Sequence, residues 1–204
     1  MKTGGIIAIV VVVLLLMAGC GGCSKYNSLV TQNNNVKNKW ANVEAQYQRR
    51  SDLIGNLVAT VKGAANFEQS TLTKVTEARA RATSVQINAD NLTPEKLKEY
   101  QDAQANLNGA FSTFSRLLVS NENYPTLKAT QNFSDLQVEI AGTENRIAVA
   151  RKDFNDAVND YNNAVQYFPG NIVAGLTGFH EKASFTADAD AQHAPKVDFG
   201  DSTK

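Results

Sequence analysis

The sequence predicts an all-α protein: an N-terminal membrane segment, then an up-and-down antiparallel helical bundle. Four helices are preferred, with three long helices as the alternative. Three observations carry this reading. From Val36 onward apolar residues recur at alternating spacings of four and three, as on a helical face packed against other helices. Only four prolines occur in 204 residues, three of them after Tyr124, so long uninterrupted helices are permitted. No stretch alternates with period two for long enough to make a strand.

The first element is "MKTGGIIAIVVVVLLLMAGCGGCSK", which gives residues 1–24 as a membrane anchor or a lipoprotein signal. Read as a signal, Lys2 is followed by an apolar run and a small-residue site ending at Cys20, the lipidation candidate. Met17 departs from the branched residue usual there. Read as an uncleaved anchor, Gly4 to Cys23 is about long enough to span a bilayer core. Either way the chain is tethered. Cys20 and Cys23 are the only cysteines. Zinc would need further ligands and a redox pair a packed domain around it, so the sequence offers no metal site and no cofactor site.

Residues 25–180 form the expected bundle. The first stripe runs through Val36, Trp40, Val43 and Tyr47 to Ile54, Leu57 and Val61. Arg50 and Glu68 interrupt it. On a straight helix they would lie roughly 27 Å apart and could not pair. In "VKGAANFEQS", Gly63 suits a helix end and Asn66 with Gln69 a capping box, which favours a break. A second helix opens at "NLTPEKL", with Thr93 as N-cap and Pro94 at the first helical position. A third pattern runs from Thr126 to Phe168 through Phe133, Ile140, Ile147, Phe154 and Tyr161, and "PGN" ends it. Residues 181–204 carry little periodicity and read as a disordered tail, in which Asp188, Asp190 and His193 lack the scaffolding a metal site needs.

Several blocks resemble the LemA family of bacterial proteins, in order and over nearly the whole chain. They are "YNSLV", "RRSDLIGNLVATVKG", "ENYPTLKATQNFSDLQ", "GTENRIAVARKDFNDAVNDYN" and "FPGNIVAG". The family usually has Tyr and Pro where Ser51 and Gly55 stand here, and His where Phe67 stands. The resemblance implies a short membrane segment followed by a four-helix bundle, and it brings no catalytic residues to carry over.

Arg50, Glu68, Glu144, Arg151 and Asn155 lie on or beside the inward stripes. They are expected either to cross-link helices and fix register, or to line a polar groove that receives a peptide or ligand. Arg50 is expected to meet a carboxylate from a neighbouring helix, Glu144 first. No nucleophile stands beside a base, and no glycine-rich loop opens a helix for phosphate, so an enzyme is not expected. The formal net charge of zero, with charges scattered, leaves no footprint for nucleic acid. The expected address is the membrane, through a single N-terminal anchor, with the bundle outside the cytoplasm. The expected role is an interaction or scaffold module of the cell envelope, partnered by other envelope proteins. A peptide- or ligand-sensing bundle is the alternative.

Overall fold

A helix whose apolar residues keep one phase for many turns needs a long partner, and the part of α1 from Leu29 onward finds one. In the computed structural model, which describes residues 3–63, 68–120 and 131–186, α1 spans Thr3–Lys62. Its 60 residues reach about 90 Å at helical rise. It is followed by α2 (Gln69–Ser84), α3 (Pro94–Ser120), α4 (Gln131–Gln166) and a short α5 (Gly170–Thr177). The described residues contain no strand. Antiparallel pairing of α1 with α4 is visible in its cross-links, Lys39 with Asp153 at 3.0 Å and Arg49 with Glu139 at 3.4 Å. As the α1 position advances, the α4 position falls.

The preferred break is present, since α1 closes at Lys62 and α2 opens at Gln69. The capping box is not. Gln69 is the first helical residue and Glu68 takes the N-cap position, its carboxylate accepting from Ser70 Oγ at 2.6 Å instead of capping the helix. Asn66 lies outside the described residues. Thr93 caps α3 as expected, its hydroxyl accepting from Lys96 N at 3.4 Å. Within "PGN" the chain starts α5, an element not foreseen. Gly170 permits that corner, because a Cβ there would run into the Ala164 carbonyl at the end of α4.

The interior divides into two apolar clusters. One joins Leu29, Val36, Trp40, Val43 and Tyr47 of α1 to Leu97 and Tyr100 of α3 and to Ile147 through Val165 of α4. The other joins Leu53 through Val61 to α2, to Leu107, Phe114 and Leu118, and to Phe133 and Ile140. Four helices enclose the second cluster. With 16 residues, α2 is too short to cover the first as well. There the missing wall is made by residues 85–92, by α5, and by the segment after it. Residues 181–186, which the sequence assigns to the tail, pack against the bundle, with Lys182 and Phe185 buried. The boundary drawn at residue 180 therefore falls inside packed structure. Residues 187–204 lie outside the described ones.

Among the described residues no helix is long and apolar enough to cross a membrane. Many side chains between positions 6 and 20, Cys20 included, are outside that set, although the backbone of α1 is helical through them. Among the described side chains of α1 the first buried one is Leu29, and those described between Gly4 and Cys23 lie outside the core on the same helix.

Candidate functional site

Between the two clusters the inward-facing positions are polar. Arg50 and Ser51 of α1, Gln104 of α3 and Thr143 of α4 are all buried. Arg50 Nη1 stands 3.1 Å from Glu144 Oε1, with the arginine side chain 4% exposed and the glutamate 49%. The pair is lopsided: the cation is dry and the anion half in water. Arg50 Nε and Nη2 and Gln104 Oε1 make no hydrogen bond within the protein. Gln104 Nε2 donates to the Ala82 carbonyl at 3.2 Å, and Thr143 Oγ1 to the Ile140 carbonyl at 2.6 Å. A polar cleft of about 150 Å³ opens on this layer, lined by Tyr47, Arg50, Gln104, Asn108, Glu144 and Arg151. Burial raises the Tyr47 phenol above its ordinary pKa, and the nearby Arg151 and Arg50 charges hold part of that rise back.

Beside the cleft, residues 179–186 run extended and antiparallel to α4. The Asn155 amide closes two bonds on the main chain of one residue, Nδ2 donating to the Phe185 carbonyl at 2.9 Å and Phe185 N donating to Oδ1 at 2.8 Å. Asn162 does the same to Lys182, at 2.9 Å in both directions. Seven helical residues and three extended residues both span roughly 10 Å, so two asparagines two turns apart match the strap's repeat. Arg151 Nη2 donates to the Thr186 carbonyl at 3.3 Å, and its Cζ lies 4.7 Å from the centroid of the Phe185 ring. That ring stacks on Trp40 at 6.0 Å and meets Phe154 edge-on at 5.4 Å. Lys182 Nζ donates to the Ala89 carbonyl at 2.6 Å. Burial holds the Lys182 ammonium below its usual pKa, with Asp90 opposing and Lys37 reinforcing.

The structure thus brings four of the five singled-out residues into one region: Arg50 and Glu144 as a pair, Arg151 at the junction of cleft and strap, and Asn155 of α4 holding the strap. Glu68 stands apart, exposed at the start of α2. Asn162, Lys182 and Phe185 were not singled out. Asn162 was within reach of sequence reasoning, since it shares a helix face with Asn155. Lys182 and Phe185 sit in a segment without helical period, where only their place in the fold identifies them.

A LemA family profile matches residues 39–199, the greater part of the chain. The chain belongs to the LemA family. Among its relatives are magnetosome protein MamQ 2 of Paramagnetospirillum magneticum, 27% identical over 187 residues, covering 85% of this chain and 68% of the relative. Magnetosome protein MamQ of Magnetospirillum gryphiswaldense is 28% identical over 178 residues, covering 78% and 65%. Protein LemA of Metamycoplasma hominis is 26% identical over 161 residues, covering 79% and 68%. In this LemA protein the block around Ser51 and Gly55 meets α2 through Arg79. Its Nε donates to the Ser51 carbonyl at 2.9 Å, and its Nη2 lies 3.3 Å from Asp52. The guanidinium covers Gly55 so closely that a Cβ there would stand 2.9 Å from Cζ.

Proposed function

We propose that this LemA protein is a membrane-tethered helical interaction module of the cell envelope, held by its N-terminal apolar run with the bundle outside the cytoplasm. The observation that supports the reading is the continuity of α1, which carries the run from Gly4 to Cys23 and the core residues from Leu29 to Val61 on one helix. A bundle built on its own tether is presented at a fixed height above the bilayer. Fatty-acid labelling lost in Cys20→Ser indicates a lipoprotein anchor, and an unlabelled wild type leaves a transmembrane one. The role itself is tested by cross-linking in intact membranes. The expected result is a reproducible set of envelope proteins, lost from a chain that starts at Tyr26. Failure to recover any neighbour above a mock cross-link would count against an interaction module.

A second reading has one specific observation in its favour. Asn155 and Asn162 hold the strap by its main chain, a mode of recognition that an extended peptide from another protein would satisfy equally. A labelled peptide covering residues 179–186 should then bind a Phe185→Ala chain better than wild type, whose own strap competes at an effective concentration on the order of millimolar. A folded Phe185→Ala protein that captures no peptide removes this reading.

A further inference from the structure

We infer that the corner between α4 and α5 is a second membrane contact, seated at the headgroup level of the bilayer that holds α1. The inference rests on the tether proposed above and adds a lipid-facing surface to it. Tyr167, Phe168, Ile172 and Leu176 are exposed within one short stretch, Phe168 at 80% and Leu176 at 83%. Among the described residues elsewhere in the bundle, the large exposed apolar side chains are Tyr26, at this same end, and Val138 and Val149, which stand singly. No residue from 167 to 179 carries a charge. A clustered apolar surface without charge is costly to leave in water and marks an interaction site.

The position of the corner selects the partner. Because α4 runs antiparallel to α1, its end and α5 return to the place where the apolar run leaves the bundle. The rings of Tyr26 and Phe179 lie 6.0 Å apart there. Tyr26 follows the close of the apolar run at Cys23 by three residues, about 4.5 Å along the helix. The polar layer of a bilayer is roughly 5–7 Å deep on each side, so Tyr26 falls within it, where aromatic rings settle preferentially. α5 packs against α1, and Phe179 just after it meets Tyr26, so the corner lies at the same level. Gly170 and Ala174 turn inward on α5 while Ile172 and Leu176 turn out, the arrangement of a short interfacial helix. Two contacts on one bilayer would hold the bundle at a set tilt, which a single helical stalk does not.

The test uses the full chain in phosphatidylcholine–phosphatidylglycerol vesicles, with Cys20 and Cys23 kept. An environment-sensitive fluorescent amino acid is incorporated in place of Leu176, Ile172 or, as control, Val138. The expected result is blue-shifted emission at 176 and 172, quenched by nitroxide-bearing lipid, with the label at 138 unshifted and unquenched. Adding Phe168→Asp and Leu176→Asp should return the label at 172 to the aqueous value while the chain stays on the vesicles. Retention on vesicles with corner labels that match the control overturns this contact and leaves the tether standing. Corner labels that are shifted but not quenched by lipid place a protein there and overturn it equally. A chain that does not float with vesicles overturns the tether and this contact together.

Discussion

Arg50 is buried and its partner is not, and this asymmetry sets which substitution is costly. If Arg50 had met a buried carboxylate, Arg50→Ala would strand that charge. Glu144 is half exposed at 49%, however, so once released it is solvated. The costly direction is the reverse. Glu144→Ala leaves a buried guanidinium without its counter-charge, a loss of roughly 3–5 kcal/mol for a fully buried pair. Solvent screening of the exposed carboxylate reduces this to about 1–3 kcal/mol. Arg50→Met keeps most of the volume and removes the dry charge, so stability should be unchanged or higher. Urea denaturation of the two variants checks the account. Arg50→Met falling well below Glu144→Ala would show that the guanidinium contributes more than it costs. The need for a partner was legible in the sequence, because a cation interrupts an apolar stripe. The exposure of that partner was not, since it depends on the cleft that α3 and α4 line beside it.

At the scale of elements, the strap completes the apolar cluster that α2 is too short to cover. Its side-chain anchors are few and its main chain is held by amides, so loosening it should be local. Asn155→Ala removes two hydrogen bonds to Phe185, a loss of about 1–3 kcal/mol. Hydrogen exchange should show faster exchange at Lys182, Ala183 and Phe185, with α1 and the inner turns of α4 unaffected. Acceleration spread evenly over all helices would instead make the strap inseparable from the global fold. The helices were legible because their cores repeat at a helical period, and Thr93 and Gly63 marked ends by their own chemistry. The strap was not, because contacts made through carbonyls and amides leave no pattern in side-chain type. The α4–α5 corner was legible only as an interruption at "PGN"; that a helix resumes there depends on Gly170 fitting against Ala164.

For the molecule as a whole, alkaline pH is the sensitive direction. Burial is the first cause of raised pKa values at Tyr47, Tyr100 and Tyr161. A phenol whose pKa is raised on folding contributes stability that is fully present below the ordinary value of about 10 and lost as pH rises through the folded value. Lys182 acts oppositely: with its folded pKa lowered chiefly by burial, its contribution grows as pH climbs toward 10.5. Three phenols outweigh one amine, so denaturant stability should be nearly level at neutral pH and fall above about pH 10. Phenolate absorbance from the buried rings should appear together with unfolding, and their complete ionisation in a folded protein would contradict the packing described.

In this LemA protein we propose α1 as both tether and core. Flotation on a density gradient with vesicles tests it most directly, comparing the full chain with a chain that starts at Tyr26. The full chain should rise with the lipid and resist a high-salt wash, while the shorter chain stays at the bottom with the same helical circular dichroism. A full chain that remains at the bottom, or a shorter chain that rises equally well, would contradict it.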